Sequence, residues 1–186
     1  MQRRSFLKFL TASLAWPWAQ GIAAEAKVDN GTLAQIQNSW QMLVAKGADI
    51  ATSTERIEKS EAEWKAVLTP AQFNVLRQEG TERPFSSPLN DEKRPGVFVC
   101  AGCALPLFTS RMKFDSGTGW PSFFTAIPAH LDRKQDFKLI VPRTEYHCVR
   151  CGGHHGHVFD DGPPPTGQRW CNNGVALRFI PVQGKA

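Results

Sequence analysis

The chain has 186 residues, of which 41% are hydrophobic and 21% are charged. These proportions are typical of a soluble globular protein rather than a disordered or membrane one, and the length suits one domain with an appendage, not two domains with separate cores. The net charge of +5 falls to +3 without the first 26 residues, because 19 basic residues then face 16 acidic ones. No cluster of Lys and Arg with interleaved aromatic residues remains, so we expect no nucleic acid partner.

Residues 1–26 are arranged like a cleaved export signal. A basic start precedes a short apolar run that ends in small residues at Ala24 and Ala26, where cleavage is expected. The run is too short, and too interrupted by Pro17, to be a stable membrane anchor. Arg3 and Arg4, followed by Ser-Phe-Leu-Lys, resemble a twin-arginine signal, which carries folded proteins across a bacterial inner membrane; an ordinary secretory signal is the alternative. Both signals predict a periplasmic protein.

Residues 27–59 are predicted to be a polar linker that contains one amphipathic helix. The helical pattern places five apolar residues on a common face and a glycine where the helix should end: Leu33, Ile36, Trp40, Leu43, Val44 and Gly47. Such a helix could dock a partner. An N-terminal helix that lies on its own domain is the more frequent case, and we favour it.

Residues 60–182 are predicted to form the folded domain, followed by a tail at 183–186. Ser60 and Glu63 fit a capping box for a first helix, and Thr69 with Pro70 fits the start of a second helix, which Gly80 should end. The pattern then changes to short alternating segments, such as 96–101, 136–142 and 175–182, separated by Gly, Pro and Asp. The second half should therefore be a small antiparallel β domain.

Four of the five cysteines form two C-x-x-C units, Cys100 with Cys103 and Cys148 with Cys151. Each unit can present two sulfurs from one turn, and two units together supply the four ligands of a tetrahedral structural Zn²⁺ site. Local disulfides in an oxidising compartment and one redox-active pair are the alternatives. Two units of identical spacing favour zinc, and export in the folded state would let the metal bind in the reducing cytoplasm.

Cys171 remains as a single thiol in the stretch RWCNN. A buried structural cysteine is the common case and needs apolar neighbours. Here Arg169, Asn172 and Asn173 offer a charge and hydrogen bonds of the kind that stabilise a thiolate. The local sequence therefore favours a reactive cysteine.

Two further stretches contain residues suited to a site beside that thiol. His154 and His157 follow the second cysteine unit, and histidine can donate a proton near neutral pH, with Asp160 or Asp161 to orient it. A polar loop with solvated histidines is the alternative. Trp120, in GTGWPSF, could offer a flat apolar wall to a ligand, although most tryptophans belong to a core.

Taken together, these stretches resemble the methionine-R-sulfoxide reductase (MsrB) family. The chain matches it in order at EWKAVLTPAQFNVLRQEGTERPF, VCAGCALPLF, KFDSGTGWPSF, RTEYHCVRCGGHHGHVFDDGPPPTG and RWCNNGVALRFIP. The resemblance covers about residues 60–182. It implies a mainly β (α+β) fold of two antiparallel sheets, β-tent-like, with N-terminal helices and a zinc site made of four cysteines, and it implies the repair enzyme peptide-methionine (R)-S-oxide reductase. We also expect a monomer.

The resemblance assigns roles to residues around the single thiol. Cys171 would attack the sulfur of methionine-R-sulfoxide, in proteins or free, and become a sulfenic acid. Trp120 would pack on the substrate methyl group, Arg169 would favour the thiolate, and Asn173 would help to orient the site. An exported zinc-binding module without catalysis, and a thiol–disulfide oxidoreductase with one free C-x-x-C unit, are the alternative functions.

The resemblance also implies how the sulfoxide oxygen leaves and how the enzyme is recycled. His154 and His157, with Asp161, would bind and protonate the oxygen, directly or through water. Many relatives carry a recycling cysteine between the glycines of G-x-G-W-P-S-F, where this chain has Thr118. We therefore expect an external thiol donor, a thioredoxin-like protein, to reduce the sulfenic acid of Cys171 directly.

Overall fold

The computed structural model describes residues 30–44, 47–137 and 142–182. The predicted export signal and the predicted tail at 183–186 lie outside these ranges, and so does most of the segment 136–142 that was predicted to alternate. None of the helices in the described ranges has the length and apolar character needed to cross a membrane.

Three α-helices lie in the first part of the described chain: α1 Asn30–Asn38, α2 Glu61–Val67 and α3 Pro70–Gln78. A 3-10 helix, Ser39–Leu43, continues α1. Ile36 is buried, and Trp40 packs against the core with its ring edge-on to His130. The N-terminal helix therefore lies on its own domain, because its apolar side covers part of the same core.

The predicted capping box at Ser60 is present, and the predicted cap at Thr69 also forms a capping box. Ser60 accepts a hydrogen bond from the Glu63 amide and returns one from its own amide to the Glu63 carboxylate, and Thr69 and Gln72 repeat the arrangement at α3. Each cap contributes about 1 kcal/mol to helix stability. The end of α3 differs from the prediction: Glu79, with φ of 56°, takes the left-handed position before Gly80.

Nine strands within the described ranges form two antiparallel sheets, as the family resemblance implied. The strands are β1 Gly96–Cys100, β2 Pro106–Thr109, β3 Lys113–Phe114, β4 Ser122–Phe123, β5 Leu131–Asp136, β6 Arg143–Cys148, β7 His154–Phe159, β8 Arg169–Asn172 and β9 Leu177–Pro181. One sheet has the order β2-β1-β9 and the other β3-β4-β8-β7-β6-β5. Aromatic side chains fill the space between them; Phe108 stacks on Phe123 at 4.0 Å, and the Tyr146 and Trp170 rings meet edge-on at 5.0 Å.

The register of the larger sheet brings a row of polar residues together on one face. Ser122, Cys171, His157, Glu145 and Lys134 are successive partners across β4, β8, β7, β6 and β5. Because side chains alternate between the faces of a strand, their neighbours Trp170 and Tyr146 point into the core. The sheet thus places the single thiol beside a histidine and a carboxylate that are distant in sequence.

Candidate active site and metal centre

The four cysteines of the C-x-x-C units lie together where the two sheets meet. Cys100 ends β1 of the smaller sheet and Cys148 ends β6 of the larger one. The sulfur of Cys100 is 3.6 Å from that of Cys151, and the sulfur of Cys103 is 3.5 Å from that of Cys148. Each close pair therefore joins one unit to the other.

These distances fit a zinc ion bound to four sulfurs. A tetrahedron with Zn–S bonds of about 2.3 Å has sulfur-to-sulfur edges of about 3.8 Å, whereas a disulfide needs sulfurs about 2 Å apart. All four sulfurs lie within 4.8 Å of one another. Cys100, Cys148 and Cys151 are buried, and thiolates held this close together away from water need a cation to coexist. Zinc bound here would fasten one sheet to the other.

A segment that precedes α2 crosses both cysteine turns. The amide of Ala51 donates to the carbonyl of Ala104 at 2.9 Å, and the amide of Ile57 donates to the carbonyl of Arg150 at 2.8 Å. Arg150 in turn donates to the carbonyls of Ser53 and Glu55. The last part of the predicted linker is therefore tied to the zinc site by main-chain hydrogen bonds.

Cys171 lies in a separate cleft of about 200 Å³ on the polar face of the larger sheet. Six of the residues that line it are Trp120, Arg143, His157, Phe159, Cys171 and Asn173. The strands approach closely beside the thiol, since any Cβ at Gly156 would collide with the carbonyl of Cys171. Glycine is required there, and the cleft keeps room for a small ligand above the sulfur.

The aromatic wall is held by a loop that follows α3. The indole of Trp120 donates to the carbonyl of Glu82 at 3.3 Å, and the amide of Glu82 donates to the side chain of Asn173 at 3.0 Å. The carboxylate of Glu82 accepts from the amides of Gly174 and Val175. Glu82 thus contacts both Trp120 and Asn173, which line the cleft, and it was not predicted from the sequence. The side chain of Asn173 also donates to the carbonyl of His155 on β7.

His157 is oriented by a carboxylate that the sequence did not indicate. Its Nε2 lies 2.8 Å from Asp136 on β5, and Arg143 donates to the same oxygen at 2.6 Å. Asp161, which was expected to serve a histidine, instead makes a paired hydrogen bond with Arg169 at 2.8 and 2.9 Å. The loop after β7 carries Asp161 to β8, so in this structure it lies beside Arg169.

The thiol of Cys171 is less acidic than its charged neighbour suggested. Burial raises the pKa of Cys171, although the Arg169 charge and hydrogen bonding by Thr118 oppose the shift. The hydroxyl of Thr118 also lies 2.8 Å from that of Ser116, which in turn is 2.8 Å from Ser122. Loss of solvation therefore outweighs the Arg169 guanidinium in setting the direction of the pKa shift of Cys171.

His154 lies behind His157 rather than in the cleft. Its side chain is 2% exposed, and its ring meets that of His157 edge-on, with centroids 5.5 Å apart. Burial lowers the pKa of His154 to about 4, so it is neutral at pH 7. His154 can influence the cleft through His157, and its nearest charged group is Glu145 at 3.2 Å.

The structure therefore brings Cys171, His157, Trp120 and Asn173 to one cleft, with Arg169 beside the thiol. The acidic residues Asp136 and Glu145 were missed. The signal that could have found them is alternation within their strands, because both occupy positions that face the same side as Cys171 once the register is known.

Known proteins of one family resemble this chain over most of its folded domain. The SelR domain matches residues 68–181. Peptide methionine sulfoxide reductase MsrB of Methanosarcina barkeri (strain Fusaro / DSM 804) is 56% identical over 124 residues, 66% of this chain and 87% of that protein. The protein of that name from Methanosarcina mazei is 55% identical over 125 residues, 67% of this chain and 89% of its own. The one from Agrobacterium fabrum is 47% identical over 131 residues, 70% and 97% of the two chains.

Among solved structures, the Mis18 'Yippee-like' domain resembles 49% of this chain and is matched over 100% of its own length, with a TM-score of 0.39 and 17% identity. This likeness is too slight to bear on function. The domain match and the relatives that span most of their own lengths decide the matter: the chain belongs to the SelR domain family, that of the MsrB peptide methionine sulfoxide reductases.

Proposed function

We propose that this protein, a peptide methionine sulfoxide reductase by its family, reduces the R epimer of methionine sulfoxide through the sulfur of Cys171. Its family supports sulfoxide reduction and the repair of oxidised proteins. The observation that carries the finer proposal is the cleft, which Cys171 lines together with Trp120 and His157. The substrate would be methionine sulfoxide, in proteins or free.

Selection of one epimer follows from three fixed groups around the substrate sulfur. The methyl group would pack on Trp120, the oxygen would point to His157, and the sulfur would meet Cys171. A chiral sulfur can satisfy three such positions in one configuration only. The S epimer would therefore place its oxygen against the indole or its methyl group against the imidazole, and it would be reduced much more slowly.

The chemistry needs no proton from outside the complex. The S–H bond of Cys171 breaks, its sulfur gains the oxygen, and the sulfoxide S–O bond breaks, so that a thiol and a sulfoxide become a sulfenic acid and a thioether. The methionine sulfur gains the two electrons that Cys171 loses. Cys171 must lose its proton when it attacks, and His157 would take that proton and deliver it to the oxygen.

The remaining site residues would support this transfer. Arg169, held by Asp161, would stabilise the thiolate while it exists. His154 would act on His157 through the contact of their rings, and Asn173 would keep the loop with the aromatic wall in position. These roles are the family's, applied to the matching residues of this chain.

An external thiol donor would then restore the enzyme. Two thiols of a thioredoxin-like protein become a disulfide, while the sulfenic oxygen leaves as water and Cys171 regains its proton. The other four cysteines belong to the proposed zinc site, and Thr118 occupies the position at which many relatives carry a recycling cysteine. No second cysteine of this chain is therefore expected to reduce Cys171. The protein would act as a monomer in the periplasm, exported by its twin-arginine signal, and its zinc would be structural.

The proposal is tested with both sulfoxide epimers, each as the free amino acid and within a peptide. Chiral analysis should show the R epimer consumed and the S epimer left. Replacing Cys171→Ser should abolish turnover while the protein keeps one zinc ion. Retained turnover would overturn the proposal, and a chain that binds zinc but reduces neither epimer would be a binding module. Bound metal would exclude a redox-active C-x-x-C unit.

Direct recycling has its own test. After one turnover without reductant, mass spectrometry should find a sulfenic acid on Cys171. The matched variant Thr118→Cys should instead give a disulfide to Cys171, because position 118 adjoins the thiol. A disulfide in the unaltered enzyme would contradict the proposal. Export is tested separately by Arg3→Lys with Arg4→Lys, which should retain the precursor inside the cell.

A further inference from the structure

A second group of metal-binding side chains lies on the larger sheet, apart from the cysteine cluster. Glu145 and His147 belong to β6 and His154 opens β7. The Nδ1 of His154 is 3.2 Å from one oxygen of Glu145, and the Nε2 of His147 is 3.4 Å from the other. One ligand atom from each residue can be chosen so that all three lie within 4.8 Å of one another.

The two imidazole nitrogens are buried and unpaired in the part of the chain that the structure describes. Neither His147 Nε2 nor His154 Nδ1 has a hydrogen-bond partner, since their approach to Glu145 falls outside hydrogen-bond geometry. Buried polar atoms are normally paired, and leaving them unpaired costs free energy. Both nitrogens point toward the same carboxylate, so a cation among the three residues would give each of them a partner.

The distances and the ring orientation suit a metal ion. Bonds of about 2.1 Å place neighbouring ligand atoms about 3.0 Å apart in an octahedron and about 3.4 Å apart in a tetrahedron. The other nitrogen of His147 faces the carbonyl of Gly152 at 3.3 Å. A proton held there leaves the lone pair of Nε2 free for a metal, which is the usual arrangement of a histidine ligand.

Solvent reaches this group from a cleft that differs from the one at Cys171. It has a volume of about 440 Å³, and His147, His154, Arg77 and Glu79 are among its lining residues. One group competes for the carboxylate: the ammonium of Lys134 is 3.0 Å from Glu145. Its side chain is 63% exposed and can turn outward when a cation binds.

We propose that Glu145, His147 and His154 bind a divalent first-row transition ion such as Zn²⁺ or Co²⁺, with water from the cleft completing its coordination. Two imidazoles and one carboxylate favour such ions over Ca²⁺ or Mg²⁺. The site does not depend on the proposed reaction. Because the ring of His154 contacts that of His157, a bound ion would also hold the histidine of the active cleft in place.

The experiment uses the full chain with its cysteine cluster saturated with zinc. Co²⁺ is added, and bound metal is measured by equilibrium dialysis with elemental analysis and by visible absorption. We expect one extra equivalent per chain, with ligand-field bands and no thiolate-to-cobalt charge-transfer bands. Binding of no metal beyond the single zinc of the cysteine cluster, or cobalt that gives thiolate bands only, would overturn the proposal.

Three variants test the site, and a fourth is used if the first one loses its structural zinc. His147→Ala should weaken cobalt binding by roughly 100-fold or more, since even a residue behind a ligand changes metal affinity 10- to 100-fold. Lys134→Met should tighten it, because the competing ammonium is gone. His130→Ala, outside the group, should leave it unchanged. If His147→Ala also loses the zinc of the cysteine cluster, cobalt binding is measured with Glu145→Gln instead. Unaltered cobalt affinity in a folded variant would refute the site.

Discussion

The Nε2 of His157 lies 2.8 Å from the Oδ2 of Asp136, although β6 separates the two strands that carry them. Arg143, on the intervening strand, holds the same carboxylate oxygen at 2.6 Å. Burial lowers the pKa of His157, Arg143 lowers it further, and Asp136 opposes both. The proposed proton carrier is thus oriented by an acid that lies across the sheet.

Replacing Asp136→Asn should lower the pKa of His157 further, because the replacement removes the negative charge that favours the imidazolium. NMR titration of the ring would show this, and turnover should fall by about one to two orders of magnitude, since acid–base groups contribute about 10²–10⁴-fold. Arg143→Met should move the same pKa in the opposite direction. An unchanged pKa of His157 in both variants would show that the contact is absent in solution.

Alkylation of Cys171 should depend on pH in the direction set by burial. Because its pKa is raised, the thiolate fraction at neutral pH is smaller than that of an exposed cysteine, and the rate with iodoacetamide should rise up to a midpoint above about 8.5. Arg169→Met should raise that midpoint further. Cys171→Ser provides the blank for labelling of the other cysteines. A midpoint below the ordinary range would instead support a resting thiolate.

Replacing Trp120→Ala should reduce both affinity and epimer selection. Loss of the apolar wall removes about 1–3 kcal/mol of transition-state binding, or about 5- to 160-fold in kcat/KM for the R epimer. Steady-state kinetics with each epimer would measure it. Val67→Ala, an exposed change on α2, serves as the control and should alter neither. Equal loss for both epimers would show that the indole supports the fold but does not select the methyl group.

The main-chain hydrogen bond of Ile57 should slow the loss of zinc. Ile57→Pro removes the amide that donates to Arg150, whereas Ile57→Ala keeps it and removes only the side chain. A net hydrogen bond is worth about 0.5–1.5 kcal/mol, so the proline variant should release zinc to a chelator roughly 2- to 13-fold faster than the alanine variant. Identical rates would indicate that the segment contributes nothing to metal retention.

The sequence by itself determined the features that depend on short spacing. The two C-x-x-C units identified the zinc ligands and left Cys171 as the one remaining thiol. The pairs Ser60 with Glu63 and Thr69 with Pro70 predicted where two helices begin. The family pattern then supplied the fold. Each of these follows from residues within one turn, or from motifs in chain order, and needs no knowledge of packing.

Only the tertiary structure shows which side chain each carboxylate contacts and in which direction the pKa of Cys171 is shifted. Asp136 reaches His157, and Asp161 turns to Arg169, because strand register brings together residues that are far apart in sequence. The pKa of Cys171 is raised because burial in the folded cleft outweighs the charge of Arg169, which lies two residues away in sequence. Burial and cross-strand pairing belong to the assembled sheets, so no local pattern could have predicted them.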